Sequence, residues 1–264
     1  MLRLTAVLAL AVWPAVAEPV DVELVLAVDV SRSMDAEEQK VQRDGYVAAF
    51  RDPVVIREIL SGLHGAIAVS YLEWGGPLET AVVVDWHRIG SEADAAAFAA
   101  TLADRPITFG ASTSISSALR LGREMIEGNR FHGVKRVIDI SGDGPNNTGP
   151  RVDVTRDAVL RAGIEINGLP VMINEADGAF TLPELDGYYA ECVIGGPGAF
   201  VMPVRAVEAF GATIRRKILL EVASDPPDLV APELVHEVEA RSPRDCGVGE
   251  AMRRDWKGLR SLGR

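Results

Sequence analysis

Short apolar runs alternate along this chain with stretches that carry apolar residues at helical spacing. Five runs read as strands, at 23–30, 65–74, 80–86, 134–141 and 164–170. Amphipathic stretches at 35–50, 54–60, 91–102, 114–127, 152–162 and 204–221 read as helices. Strands that are apolar throughout and separated by helices are typical of a mostly parallel sheet covered on both faces. We therefore predict a doubly wound α/β fold, with one antiparallel edge strand because a Gly-Gly-Pro turn joins the second and third runs.

The bulk composition restricts the classes of partner. The chain has 264 residues, is 48% hydrophobic and has a formal net charge of −11. Such an apolar fraction is enough for a full core and argues against disorder. The acidic balance, without a basic cluster, disfavours binding to nucleic acid or to an anionic membrane surface.

The first 17 residues have the pattern of a signal peptide. Arg3 precedes an apolar run at 4–12, and Ala15-Val16-Ala17 is an A-x-A cleavage site, which makes Glu18 the first mature residue. A membrane anchor is the alternative, but the apolar run is too short and Pro14 interrupts it. We expect a periplasmic or secreted protein with no integral membrane span.

The mature chain is predicted to contain one domain, at 18–222, and a C-terminal tail, at 223–264. The tail carries four prolines and reads as extended. In an oxidising compartment two cysteines usually pair, so a disulfide between Cys192 and Cys246 would tie the tail to the domain. Two free thiols remain the alternative. A metal site is excluded because neither a C-x-x-C spacing nor a nearby pair of histidines is present.

The first predicted strand ends in an unusual set of side chains, in the stretch ELVLAVDVSRSMD at 23–35. Asp29, Ser31 and Ser33 form the pattern D-x-S-x-S directly after the apolar run. In open α/β sheets ligands bind beyond the carboxyl ends of the strands. A carboxylate with hydroxyls is an oxygen donor set that suits Mg²⁺, Ca²⁺ or Mn²⁺. The alternative is a helix N-cap at Ser33 or Asp35, and the two interpretations are compatible because one residue is enough for the cap.

Two further loops complete a recognisable pattern. GASTSISSAL at 110–119 opens a predicted helix, and VIDISGDG at 137–144 ends a strand in Asp-Gly. With D-x-S-x-S, they resemble the three loops of the metal-ion-dependent adhesion site of von Willebrand factor type A domains, over about residues 20–222. The resemblance implies that Thr113 and Asp143 join Asp29, Ser31 and Ser33 as metal ligands. Ser112 would replace Thr113 if the loop were shifted by one residue.

The chain resembles more narrowly a group of bacterial exported type A-like proteins, DUF1194, through the phrases VIDISGDGPNN and CVIGGPGAFV. Two positions depart from the general type A pattern. Gly142 stands where the third loop usually has threonine, and Asp139 lies inside the strand, where an unpaired carboxylate is costly to bury. Pairing of Asp139 with Lys135, Arg136 or a helix N-terminus, or a supporting role behind the ligands, all remain open.

The resemblance implies a binding module. A divalent cation, with Mg²⁺ first and Ca²⁺ or Mn²⁺ as alternatives, would take an acidic side chain from a partner protein in adhesion or assembly. The competing hypothesis is a Mg²⁺-dependent hydrolase or phosphoryl-transfer enzyme, which needs a base close to the metal. Asp139, Asp35 and His132 are the candidates, and no motif surrounds any of them. A structural domain that binds no metal is the third possibility.

Overall fold

A computed structural model describes residues 17–173, 181–223 and 244–262, with side chains up to residue 258. The predicted signal peptide therefore lies outside the described residues, apart from Ala17. The strands are β1 (Glu18–Asp29), β2 (Ile67–Trp74), β3 (Thr80–Ile89), β4 (Phe131–Gly142) and β5 (Glu165–Pro170). The helices are α1 (Ala36–Ala49), α2 (Pro53–Ser61), α3 (Glu92–Asp104), α4 (Ile115–Gly128), α5 (Val152–Arg161), α6 (Leu185–Tyr188), α7 (Phe210–Val222) and α8 (Val248–Leu262).

The five described strands form one sheet in the order β3-β2-β1-β4-β5. Only the β2–β3 pair is antiparallel among them, and β3 lies at the edge. β1 lies at the centre and is buried from Val20 onward, as expected for a strand covered on both faces. The predicted fold class is confirmed.

Helices cover the sheet on both faces, and each face has its own core. Helices α1, α2, α3 and α7 pack over one face, where the core includes Tyr46, Phe50 and Phe98. Helices α4, α5 and α6 pack over the other, where the core includes Trp74 and Ile138. Aliphatic side chains of β1 point alternately into the two cores, which explains why its sequence shows no polar–apolar alternation.

The chain leaves the two central strands in opposite directions. After β1 it continues into α1 on one face, and after β4 it continues toward α5 on the other. The parallel register places Val28 beside Ser141, so both strands end at the same level. A crevice at the carboxyl ends of β1 and β4 results, which is the usual position of a ligand site in such sheets.

The structure differs from the prediction mainly near the C-terminus. The extended tail was wrong for its last part, because residues 248–262 form α8. The prolines that suggested an extended chain stop at Pro243, and the sequence beyond them is amphipathic but contains four glycines. Residues 224–243 of the predicted tail lie outside the described residues. α7 also begins later than predicted, at Phe210, after a short 3₁₀ turn at Val207–Ala209.

The structure contains the predicted disulfide between Cys192 and Cys246, whose Cα atoms lie 5.5 Å apart. The bridge joins the buried segment after α6 to the residues directly before α8. Within the described part of the chain, no helix is long and apolar enough to cross a membrane.

Candidate metal site

The D-x-S-x-S segment folds back on the end of β1. The backbone N–H of Ser31 donates to Asp29 Oδ1 at 2.7 Å, and the hydroxyls of Ser31 and Ser33 lie 3.1 Å apart. Asp29 and Ser31 are buried, whereas Ser33 is exposed. The alternate spacing thus directs a carboxylate and two hydroxyls into one small volume at the mouth of the crevice.

Asp35, not Ser33, caps the following helix. Its Oδ1 accepts hydrogen bonds from the N–H groups of Glu37 and Glu38, each at 2.8 Å. Glu38 reciprocates, because its Oε2 accepts from the N–H of Asp35 at 3.0 Å, which completes a capping box. Ser33 is therefore not used as a cap, and its hydroxyl donates instead to Asp143 Oδ1 at 2.8 Å. The first and third loops are in direct contact.

Gly142 is required by close packing around Asp29. A Cβ atom built at this position would lie 2.8 Å from Asp29 Oδ2, 2.9 Å from the Tyr189 hydroxyl and 3.2 Å from the Trp74 ring. Any side chain would displace one of these groups. The departure from threonine therefore reflects a different wall of the site, formed by two aromatic side chains, Tyr189 and Trp74, that the sequence analysis did not single out.

Hydrogen bonds from both neighbouring loops hold the second loop. The N–H of Gly110 donates to the Val30 carbonyl at 2.9 Å, next to the D-x-S-x-S segment. The N–H of Asn147 donates to the Thr113 carbonyl at 3.0 Å, and Asn147 Oδ1 accepts from the N–H of Thr113 at 3.2 Å. Thr113 is buried between these contacts.

Ser112 faces a different direction. A Cβ built at Gly76 would lie 2.6 Å from the Ser112 hydroxyl oxygen, so this hydroxyl points toward the turn between β2 and β3. In that turn Glu79 Oε2 accepts from the N–H groups of Gly76 and Ala111, each at 2.7 Å. These backbone hydrogen bonds lower the pKa of Glu79. The Ser112 hydroxyl is thus directed toward this turn, and the choice of Thr113 as the ligand from the second loop stays a prediction.

A buried ion pair fixes the chain that leads into the second loop. Arg43 of α1 pairs with Glu73 of β2, and both side chains are almost fully buried. Arg43 also donates to the carbonyls of Leu102 and Arg105, at 2.9 and 3.0 Å. Glu73 Oε2 accepts from the N–H and the hydroxyl of Thr108, at 2.8 and 2.7 Å. The segment before Thr113 is therefore attached to both a helix and the sheet.

Burial, together with repulsion between the negative charges of Asp29, Asp143 and Glu38, raises the pKa values of the two aspartates in the crevice. Burial raises the pKa of Asp29 well above its ordinary value, and the charge of Asp143 adds to this effect. Burial raises the pKa of Asp143 to about 6, and the negative charge of nearby Glu38 acts in the same direction. Glu38 was not among the predicted site residues, although the capping-box spacing after Asp35 would have placed it in the first turn of α1.

Asp139 does not belong to this site. It is fully buried on the opposite side of β4 from Ile138, and its Oδ1 lies 2.9 Å from Lys217 Nζ of α7. The same Lys217 Nζ lies 2.8 Å from Glu221 Oε1. The two side-chain partners considered from the sequence were wrong, since Lys135 lies 3.2 Å from Glu165 and Arg136 donates to the Ala162 carbonyl at 2.6 Å.

The donor set fits a hard divalent cation. Asp29 Oδ2 is buried and has no hydrogen-bond partner among the described residues, although an unpaired carboxylate oxygen is costly to bury. A cation would satisfy this oxygen and offset the repulsion between Asp29 and Asp143. No cluster of three or more His, Cys, Asp or Glu side chains with metal-binding geometry occurs in the described residues. A cation here would depend on hydroxyl ligands, as expected for Mg²⁺, Ca²⁺ or Mn²⁺.

Comparison with models of protein families shows to which family the chain belongs. Residues 19–226 match the family described as protein of unknown function (DUF1194). The chain belongs to the DUF1194 family. This range includes all three loops of the crevice. No curated protein sequence matches the chain.

Solved structures with the same fold include several type A domain proteins. A von Willebrand factor type A protein from Catenulispora acidiphila has a TM-score of 0.51 and 14% identity over 76% of this chain and 42% of its own. The pilus adhesin SpaC from Lactobacillus rhamnosus GG has a TM-score of 0.56 and 14% identity, over 76% of this chain and 30% of its own.

Proximal thread matrix protein 1 from the mussel byssus, solved with a zinc-occupied metal-ion-dependent adhesion site, has a TM-score of 0.57 and 12% identity. The match covers 78% of this chain and 48% of the matrix protein. The DUF1194 chain therefore spans less than half the length of each of these three proteins. Their identities are low, so the likeness establishes the type A fold of this chain. The two named proteins are an adhesin and a matrix protein.

Proposed function

We propose that this protein is an exported binding module that holds a divalent cation, Mg²⁺ in the first place, and uses it to bind an acidic side chain of a partner protein. The observation that carries the proposal is the buried, unpaired Asp29 Oδ2 at the end of a first loop that is hydrogen-bonded to both the second and the third loop. The five residues proposed as ligands are Asp29, Ser31, Ser33, Thr113 and Asp143.

The chemistry of the donor set supports acid capture. Hydroxyl ligands are neutral, so a cation held by few carboxylates keeps much of its positive charge. A bound cation would supply Lewis acidity toward a further oxygen ligand. The exposed position of Ser33 places that side of the site at the protein surface, where a partner carboxylate can reach it.

Apolar side chains beside the site support a protein partner. Phe109 is 64% exposed and directly precedes Gly110 of the second loop, and Leu78 is 96% exposed in the turn held by Glu79. Protein interfaces commonly surround a central polar contact with such side chains. The domain at 18–222 and the signal peptide at 1–17 complete the proposal for an exported protein.

The enzyme hypothesis finds no support from its candidate bases. Asp35 caps α1, Asp139 is paired with Lys217 in the core, and His132 lies near the amino end of β4, at the opposite end of the strand from Asp143. None of them is placed to activate a nucleophile at the crevice.

Calorimetric titration of residues 18–264 with Mg²⁺, Mn²⁺ and Ca²⁺ tests the cation site. Binding should be lost in Asp29→Ala and Asp143→Ala and weakened in Thr113→Val, whereas the neighbouring Ser112→Ala should bind as the wild type does. Weakening by Ser112→Ala alone would show that the second-loop ligand is wrongly assigned. Absence of binding in the wild type would reject a cation site that forms without a partner.

The acid-capture step has a separate test. Exported proteins of the source cell would be passed over the immobilised protein in Mg²⁺ and in EDTA. Each partner retained only in Mg²⁺ would then be changed from Glu or Asp to Gln or Asn at its contact residue. Retention that survives EDTA or the amide substitution would contradict the proposed mechanism.

A further inference from the structure

The C-terminal helix α8 begins at a covalent anchor close to the third loop. Cys246 is bonded to Cys192, which is fully buried beneath α5 and α6. Arg244 strengthens the attachment, since its N–H and its Nε donate to the carboxylate of Glu191 at 2.9 and 3.1 Å. The start of α8 is thus fixed relative to the sheet, whereas its residues from Arg254 to Gly258 are exposed.

The first turn of α8 packs directly on Asn146, three residues after the proposed ligand Asp143. Gly249 is buried, and a Cβ at this position would lie 2.2 Å from the Asn146 carbonyl oxygen. On the next residue, Glu250 Oε1 accepts from Asn146 Nδ2 at 2.7 Å. The backbone of α8 approaches the third loop so closely that only glycine fits between them.

The second turn of α8 reaches the neighbouring asparagine. Arg253 Nη1 donates to Asn147 Oδ1 at 3.0 Å. The same oxygen accepts from the N–H of Thr113, and Asn147 returns a backbone hydrogen bond to the Thr113 carbonyl. One oxygen atom, Asn147 Oδ1, therefore links Arg253 to the backbone of Thr113, which is a proposed ligand.

Each asparagine connects α8 to the second loop. Asn146 Oδ1 accepts from the N–H of Ser116 in the first turn of α4, while its Nδ2 donates to Glu250. Asn147 makes the corresponding pair of contacts with Thr113 and Arg253. Both asparagines are buried, so each amide needs its protein partners. Displacement of α8 would leave both amides short of one partner.

We infer that α8 is a fourth structural element of the cation site, which positions the Thr113 loop and the Asp143 loop through Asn146 and Asn147. This inference rests on the proposed function for its effect on cation binding. Its effect on the loops themselves holds for the cation-free protein as well. Glu250 and Arg253 are positioning residues, and the disulfide keeps them in place.

The test compares two alanine substitutions on the same helix. Gly249→Ala would force α8 away from Asn146, whereas a Cβ at Gly258 meets nothing within 4 Å, so Gly258→Ala is the matched control. Both changes raise the helix propensity alike. In the cation-free protein, Gly249→Ala should speed amide hydrogen exchange at least tenfold in the segments 110–117 and 143–148. Exchange within β1 should not change.

A second pair removes the contact without steric force. Arg253→Gln should also speed exchange at Thr113 and Asn147, whereas Arg254→Gln, on an exposed neighbouring position, should not. In titrations with Mg²⁺, Gly249→Ala should weaken binding at least fivefold relative to Gly258→Ala.

The two proposals fail in different ways. Unchanged loop exchange in both Gly249→Ala and Arg253→Gln would overturn the positioning role of α8, whatever the exchange of α8 itself. Unchanged Mg²⁺ affinity alongside faster loop exchange would overturn its role in the cation site. If the wild type binds no divalent cation, the proposed function fails, and the exchange comparison still decides whether α8 positions the loops.

Discussion

Gly142 occupies the position at which the type A pattern usually has threonine, and its surroundings in this protein leave no room for a threonine side chain. We predict that Gly142→Thr destabilises the protein by about 1 to 3 kcal/mol, because the new side chain overlaps Asp29, Tyr189 and Trp74 in a packed region. It should also weaken cation binding through the displaced Asp29. Urea denaturation and titration measure the two effects. Gly211→Ala, where a Cβ meets nothing within 4 Å, is the control and should not destabilise.

Protons should compete with the cation at Asp29 and Asp143. The pKa of Asp143 is raised to about 6 and that of Asp29 is raised well above its usual range, so both carboxyls take up protons at a higher pH than ordinary aspartates. Raised values mean that affinity falls as the pH drops through about 6, since the cation must then displace protons. We expect the Mg²⁺ affinity at pH 5 to be at least tenfold below that at pH 7.5. An unchanged affinity would show that neither carboxylate is a ligand.

The five residues proposed as ligands were found in the sequence because the D-x-S-x-S and Asp-Gly loops directly follow apolar runs, and because all three loops resemble the type A pattern. The groups around them were not. Tyr189 and Trp74 contact Gly142 through tertiary packing, and their own sequence neighbourhoods are those of ordinary core aromatics. Lys217 lies in α7, far from Asp139 of β4 in the sequence. The ion pair between them depends on how α7 is rotated about its axis, which the sequence does not show.

At the scale of elements, a buried charged cluster attaches α7 to the sheet. Lys217 lies 2.9 Å from Asp139 and 2.8 Å from Glu221, and Asn167 Nδ2 donates to Glu221 Oε2 at 2.8 Å. Burial raises the pKa of Asp139 to about 6, opposed by the Lys217 charge. Lys217 contacts both carboxylates, whereas Lys135 lies 3.9 Å from Glu221 Oε2, so Lys217 is the member whose loss costs most.

We predict that Lys217→Met destabilises the protein by about 3 to 5 kcal/mol, because it leaves Asp139 buried without its cation and leaves Glu221 with Lys135 alone, at 3.9 Å. Asp139→Asn should cost much less, since Lys217 keeps Glu221 and the raised pKa of Asp139 shows that a neutral group is tolerated there. Denaturant unfolding of both variants at pH 7.5 measures the difference. A larger loss in Asp139→Asn than in Lys217→Met would contradict this order.

The elements themselves were predicted to different extents. Strands β1 and β4 were recognised from their apolar segments, but both begin earlier than predicted, at Glu18 and Phe131, where polar and apolar residues together continue the pairing. Hydrogen bonds to neighbouring strands stabilise these first residues, and such hydrogen bonds cannot be predicted from the hydropathy of the segment. α8 was missed because its glycines and the prolines before it lower the local helix signal, while tertiary contacts and a disulfide stabilise it.

At the scale of the whole molecule, the disulfide connects a complete fold to an added helix. In the described part of the chain, five strands form the sheet, and the seven α-helices before α8 cover its two faces. The contacts of α8 described above are mostly polar, with Glu250 and Arg253 on two asparagines. Hydrogen bonds with one charged partner contribute about 1.5 to 3 kcal/mol each. The disulfide contributes about 4 kcal/mol in the chain-entropy estimate, so it is a major part of what holds α8 in place.

Reduction of the disulfide should accordingly weaken the protein without unfolding the sheet. The bridge spans 54 positions, for which the chain-entropy estimate is about 4 kcal/mol of stability. We expect guanidinium unfolding in a thiol reductant to show a loss of that order, while far-UV circular dichroism in the absence of denaturant retains the signal of the α/β fold. A variant with both Cys192→Ser and Cys246→Ser should behave like the reduced wild type and should not respond to the reductant. If reduction instead abolishes the folded signal, the sheet and its helices depend on α8 for their stability. The C-terminal helix would then be part of the domain core and not an element added to it.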